Sequence, residues 1–290
     1  MTNPADVVAI ATKRDLEGIL ATLARTKRMV FFAGLPGVGK SLLIREVALA
    51  AHRIGRPVHL LQWDVVRPAF VVPAMEARYP EQGGQTHAMI RKAIGQWARQ
   101  AVLRWDRNHD PAHFLIGEVP LVGGRLLDLA QVQADDAEPL LAGQDVQFVT
   151  PVPSVAVRNV IKIARSRTFA NPMHLRESAD APPDLLETVW QEVHTLAVAI
   201  GIATASSNGR TPFDPQAYVA VYRHLLRHRK SLTLQIEAQL EPRKSVYDLD
   251  FATNDLVPTA DEASAMVAQV EREYTETEIE QYLAKWFDKV

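Results

Sequence analysis

Apolar residues along the chain follow two spacings. An unbroken apolar run at 29–33 and largely apolar runs at 58–63, 113–117, 146–150 and 232–238 have the length and residue types of buried strands. Between them apolar residues return every three or four positions, as in Leu16, Ile19, Leu20 and Leu23, then Leu43, Val47, Ala50 and Ile54, then Ile90, Ile94, Trp97, Ala101 and Trp105. This spacing predicts a helix over 13–26, a second from the turn near residue 40 to a left-handed cap at Gly55, and a long third over 87–107. Strand, helix and strand in succession make a right-handed crossover between parallel strands. The expected fold is α/β, with a doubly wound, parallel, five-stranded sheet.

The same patterns divide the chain. Residues 1–150 read as the core and 151–229 as a helical lid or insertion, with helices over 154–167, 185–200 and 214–228. Residues 230–290 supply the last strand and two terminal helices, opened by the capping-box patterns Thr259-x-x-Glu262 and Thr277-x-x-Glu280. Trp286 and Phe287 are expected to dock on the core. Loops are expected at 68–86 and 169–183, where proline is frequent, and a helix is expected to begin within 121–129. Pro151 and Pro153 are expected to end the fourth strand, and Asp135, Asp136 and Glu138 to form an exposed acidic loop.

Composition narrows the chemistry. A formal charge of −2 over 290 residues gives no general attraction to polyanions, so a nucleic-acid contact would need a local basic patch. The chain has no cysteine, which excludes disulfides, zinc–thiolate sites and a cysteine nucleophile. No leader-like segment opens it, and no apolar stretch approaches bilayer length. The expectation is a soluble cytoplasmic protein without membrane contact.

The candidate chemistry begins where the first apolar run meets glycine. Residues 29–41 read MVFFAGLPGVGKS and fit G-x-x-x-x-G-K-[ST] at Gly34, Gly39, Lys40 and Ser41. Gly34, Gly37 and Gly39 let successive N–H groups curl around a phosphate, with Leu35, Pro36, Val38 and Leu42 completing the turn and the first residues of the helix. The helix N-terminus adds its positive dipole end. In this pattern Lys40 reaches the β/γ-phosphates and the Ser41 hydroxyl holds Mg²⁺, so ATP and Mg²⁺ are the expected ligands.

Other candidates lie at the carboxyl ends of the strands, where open parallel sheets gather ligands. Asp64 and Arg67 form D-x-x-R after the second apolar run; the carboxylate suits a general base for an acceptor hydroxyl and the guanidinium an anion clamp. A helix cap with a surface arginine is the other reading of that pair. Glu118, after FLIG, has the place of an acid that orders a magnesium-bound water. Arg158, Lys162 and Arg165 recur on one helix face with Arg167 beyond, either a lid that closes over transferring phosphate or a solvated stripe. Arg91, Arg99 and Arg107 on the long helix are either a solvated basic face or a substrate contact.

Taken together these residues resemble the P-loop kinases, most closely the branch containing polynucleotide 5′-hydroxyl kinases, zeta-toxin-type kinases and related small-molecule kinases. The resemblance spans residues 1–170. It implies an ATP-dependent phosphotransferase in which Asp64 is the general base, Arg67 holds the acceptor, Arg158, Arg165 and Arg167 belong to a lid, and Ser41 and Glu118 serve the metal. The expected partner is a hydroxyl-bearing acceptor, with an anionic or aromatic compound such as a nucleotide or a nucleic-acid end favoured by Arg67, the arginines of the 87–107 helix and the nearby tryptophans. Two other classes stay open: a regulatory or motor ATPase whose helical insertion binds protein or nucleic acid, and a nucleotide-binding module without turnover. The region between the fifth strand and Thr259 is the candidate for the adenine pocket.

Overall fold

All five apolar runs become strands, and a sixth strand joins them at the edge. The structure is a computed structural model that describes residues 7–81, 85–170, 183–205, 210–237 and 254–289. In chain order its elements are β1 (Val7–Ile10), α1 (Lys13–Thr26), β2 (Met29–Ala33), α2 (Lys40–Arg53), β3 (Val58–Gln62), α3 (Trp63–Phe70), α4 (Pro73–Arg78), α5 (Ala88–Asn108), β4 (Phe114–Val119), α6 (Glu138–Leu141), β5 (Val146–Pro153), α7 (Val155–Ala170), α8 (Pro183–Ala199), α9 (Pro215–Leu225), β6 (Ser231–Ile236), α10 (Ala260–Glu273) and α11 (Glu276–Ala284). Every pairing is parallel, in the order β1-β6-β5-β2-β4-β3. The sheet thus has six strands, not five. β1 escaped the sequence pattern because it is four residues long, pairs only with β6 and buries only Ile10 fully.

The central strand β2 is buried throughout, and its residues alternate between two cores. Val30 and Phe32 pack with α1 and α2 through Leu16, Leu20, Leu43 and Val47. Met29, Phe31 and Ala33 face the other side, where α5, α8, α9, α10 and α11 contribute Trp97, Trp190, Tyr218, Val267 and Ile279 to one cluster. Helices α8 and α9, expected in a separate insertion, therefore share the main core. Trp286 docks there too, with Phe287 packed against it. Among the described residues no helix is long and apolar enough to cross a membrane.

Several local expectations are revised. The region 68–86 takes in the end of α3, which accommodates Pro68, and all of α4, which Pro73 opens at a position where a helix needs no N–H. Trp63 belongs to α3, so Asp64 and Arg67 are helical. Residues 121–129 form two 3₁₀ turns, Val122–Gly124 and Leu127–Leu129, since Gly123, Leu121 and Leu126 take left-handed backbone angles that interrupt a helix. The last capping box is Thr275-x-x-Glu278, which places Ile279 in the core; Thr277 and Glu280 do not form it. The expected loop at 169–183 lies largely in 171–182, outside the described residues, as does 238–253, which held the suggested adenine pocket.

β5 also runs through both prolines. Phe148 N donates to Lys230 O at 2.8 Å and Ser154 N to Ile236 O at 3.0 Å, so even-numbered amides of β5 point at β6. Pro151 and Pro153 are odd-numbered and point toward β2, where pairing has already ended at Val149 opposite Phe32. No ladder bond is lost.

The acidic segment and the basic face of α5 turn out to be partners. Arg99 is 1% exposed and pairs with Asp135 at 2.6 Å and Glu138 at 2.9 Å, while Glu138 also meets Arg229 at 2.6 Å. Arg91 donates to Gly123 O, so Arg91 and Arg99 are held internally, whereas Arg107 lies on the solvated surface, paired with exposed Asp136. The Arg99 hydrogen bond holds the Asp135 carboxyl below its ordinary range; burial pushes Glu138 up, but Arg229 and Arg99 outweigh it. Both groups lend stability that is present above the ordinary carboxylate range and fades as pH falls through their lowered values. Glu138→Gln should cost about 3 kcal/mol in urea unfolding at pH 7, because two buried guanidinium groups lose their shared charge. The loss relative to wild type should shrink toward pH 3; a pH-independent loss, or none, would show that the network is not electrostatic.

Candidate functional site

The strand order makes β2 and β5 the point where chain connections diverge, α2 leading toward β3 and the chain after β5 leading toward β6. A crevice at the carboxyl ends of the strands is expected there. The glycine turn fills this position. Gly37 and Gly39 have φ of +76° and +92°, and Gly39 is the residue before α2. These left-handed angles turn the backbone back on itself, as an anion-binding nest requires.

Lys40 is folded over the turn and is 5% exposed. Its Nζ donates to Leu35 O at 2.8 Å and lies 3.4 Å from Glu118 Oε1. Glu118 sits in β4 opposite Phe32 of β2 and Gln62 of β3. Gln62 Nε2 donates to Glu118 Oε2 at 3.0 Å. One polar chain thus links the carboxyl ends of β3 and β4 to the turn that follows β2. Ser41 and Leu42, in the first turn of α2, are partly exposed, and so is Pro36.

Helices α8 and α9 roof the turn. Leu35 N donates to Tyr218 Oη at 3.3 Å, and a Cβ on Gly34 would stand 2.7 Å from that oxygen. A Cβ on Gly37 would meet the Leu186 methyls at 3.1 Å. Burial pushes the Tyr218 phenol well above its ordinary value, so it is neutral and available as both donor and acceptor. Neither Tyr218 nor Leu186 was a sequence candidate; both read as core positions of amphipathic helices, and no motif marks them.

Arg158 is also part of this roof. It is 2% exposed, and its Nη2 donates to Leu186 O at 3.0 Å. Its guanidinium carbon lies 4.0 Å from the Phe213 ring centroid, while Nη1 is buried without a hydrogen-bond partner. Burial holds its pKa below the ordinary value, against the pull of Glu187. It is a fixed cation, neither a member of a solvated stripe nor one presented on a swinging surface. Lys162, one turn on, pairs with Glu187 at 2.6 Å. The side chains of Arg165 and Arg167 lie outside the described residues.

Asp64 stands exposed in the first turn of α3, just past β3. β4 separates β3 from β2, so the Asp64 backbone is two strand spacings, roughly 10 Å, from the line of the glycine turn. Arg67 Nε donates to Thr86 Oγ1 at 2.9 Å and its Nη2 pairs with Glu81. The arrangement therefore brings Lys40, Glu118, the turn and Arg158's helix contacts together, with Asp64 on the near rim and Arg67 held by Glu81.

No family model, curated protein or solved structure matches this chain. The close approach of Tyr218 to the turn gives a direct test of the site's construction. Gly34→Ala should destabilise by about 1–3 kcal/mol through overpacking, and Tyr218→Phe by about 1 kcal/mol through the lost hydrogen bond. Removing the hydroxyl makes room for the methyl, so in denaturant unfolding the double variant should fall short of the sum by at least ~0.5 kcal/mol. Strict additivity would show that the two groups do not touch.

Proposed function

We propose that the chain is an ATP-dependent phosphotransferase that moves the γ-phosphate of Mg-ATP to an alcohol acceptor. The observation that carries this reading is the left-handed pair Gly37 and Gly39 at the head of α2, with Lys40 folded across the turn they form. The fit to a triphosphate is supported by the donors around it. Lys40 Nζ holds Leu35 O, a neutral acceptor that an anionic phosphate oxygen outcompetes. Buried Arg158 Nη1 on the roof has an unmade hydrogen bond.

In this reading the N–H groups of residues 37–41, at the start of α2, bind the β-phosphate, and Lys40 leaves Leu35 O to reach the β/γ bridge. Ser41 and Glu118 would be the protein partners of a bound Mg²⁺, which would supply positive charge against the phosphates. Asp64 accepts the proton of the acceptor hydroxyl. Its offset of roughly two strand spacings leaves room for a phosphoryl group and an alcohol between carboxylate and turn. Arg67 clamps an anionic acceptor by exchanging Glu81 for it, which favours phosphate- or nucleotide-bearing acceptors. The roof of α8 and α9 excludes water, so transfer to alcohol outruns hydrolysis. Arg165 is assigned to the same closing segment on the sequence resemblance alone.

The test uses γ-labelled ATP and a panel of nucleosides, 5′-hydroxyl oligonucleotides, sugars and aminoglycoside-like alcohols. Wild type should label at least one acceptor. Asp64→Asn should bind ATP normally and lose about 10²–10⁴ in transfer rate, while Lys40→Ala should weaken both binding and transfer. Hydrolysis stimulated by a protein or nucleic acid, with no acceptor labelled and Asp64→Asn unaffected, would overturn the kinase reading in favour of an ATPase.

A further inference from the structure

Three imidazoles converge at the opposite end of the sheet from the glycine turn. His59 is the second residue of β3 and is 4% exposed, His109 follows α5, and His113 directly precedes β4. One ring nitrogen from each can be chosen so that all three lie within 4.8 Å of one another. His59 Nε2 is 2.8 Å from His113 Nδ1. Asp255, in the turn Asn254–Leu256 that precedes α10, places Oδ2 2.9 Å from His59 Nδ1 and 3.1 Å from His109 Nε2.

His109 Nδ1 lies 2.8 Å from Trp105 O, a pure acceptor, so in the neutral ring Nδ1 carries the proton and the Nε2 lone pair faces the cluster. His113 Nε2 lies 4.0 Å from the Asp110 carboxylate, beyond hydrogen-bond length, and its Nδ1 faces His59. Nitrogens of all three imidazoles and a carboxylate oxygen thus converge on one small volume. His59 Nδ1 is buried and makes no aligned hydrogen bond, although Asp255 is close.

We propose that His59, His109 and His113, with Asp255 beside them, bind a divalent transition ion of the zinc class. Imidazole nitrogens select zinc and its first-row neighbours over magnesium and calcium, which take oxygen ligands. An ion with zinc–nitrogen bonds of about 2.0–2.1 Å spaces tetrahedral ligands roughly 3.3 Å apart, so small ring rotations suffice here. The contact behind His109 is of the kind that orients a metal ligand: its Nδ1 lies 2.8 Å from Trp105 O.

The loop bearing two of the ligands is itself held. Arg28 donates to His109 O at 2.6 Å and His113 O at 2.8 Å, and Arg56 donates to Ala112 O and His113 O, both at 2.8 Å. Trp105 stacks on His109 with ring centroids 5.2 Å apart. His109 and His113 are partly exposed, which gives an ion a way in. The site would clip three segments together: the edge strand β3, the loop 109–113, and the turn leading to α10. Three residues of β3, roughly 10 Å, separate His59 from Gln62 at the polar chain, so the ion has no part in phosphate chemistry. The inference is independent of the proposed phosphotransfer.

The test is calorimetric titration of untagged, chelator-stripped protein with Zn²⁺ at pH 7.5, with Co²⁺ absorption as a second readout. Wild type should bind one Zn²⁺ with a Kd of about 10 µM or tighter, and its melting temperature should rise by several degrees. His109→Gln and His113→Gln should each weaken binding about 10–100-fold and abolish the melting shift, while Lys40→Ala should leave both unchanged. If the histidine variants fail to fold, Asp255→Asn, at an exposed position, should still weaken binding and alter the Co²⁺ spectrum. Absence of micromolar binding to wild type, or binding that none of these substitutions alters, would overturn the proposal.

Discussion

A buried ammonium organises this protein's functional edge. Lys40 is drawn out of water at the start of α2 and compensated by one backbone carbonyl of its own turn and one carboxylate from the neighbouring strand. A buried cation is tolerated only where such partners are supplied at fixed distances. That requirement couples the glycine turn to the register of β2 against β4, because Glu118 must emerge opposite Phe32. It also couples β3, since Gln62 occupies the second carboxylate oxygen. The sheet is thus a ruler that sets where the charge lies, and the left-handed glycines let the backbone reach it.

The helices on the other side of the turn give the site its second distinguishing property. Tyr218 and Leu186 approach Gly34 and Gly37 so closely that a methyl at either position would force them to shift. The glycines thus serve both conformation and packing. Arg158, wedged against Phe213 and bonded to the carbonyl of Leu186, ties α7 to this roof. Because α8 and α9 belong to the same hydrophobic cluster as the long helix α5, any opening of the roof must shift part of the main core. Access to the nest is therefore a collective motion of packed helices rather than the swing of a detached flap.

How much of this was legible in the sequence depends on how local the signal was. The turn could be read directly, because glycine at 37 and 39 reports a backbone angle and the apolar run before it reports burial. The helix at 13–26 announced itself through periodicity, and the one after Thr259 through its capping box. Strand β1 did not, since four residues with one buried side chain carry too little pattern. The prolines of β5 misled because their tolerance depends on which neighbour each amide faces, a property of register. Arg99 misled for a similar reason: its partners are Asp135 and Glu138, brought to it only by the fold. Tyr218 and Asp255 carried no signal, one reading as a core aromatic and the other as a surface acid.

The central claim is that the turn around Gly37 and Gly39 is built for a triphosphate and that Lys40 is its principal cation. Calorimetric titration of ATP into wild type and Lys40→Ala, with and without Mg²⁺, tests it most directly. The account predicts one-to-one binding to wild type that strengthens with Mg²⁺ and is at least about tenfold weaker in Lys40→Ala, corresponding to ~1.4 kcal/mol. Absence of ATP binding to folded wild type, or equal binding by the variant, would contradict it.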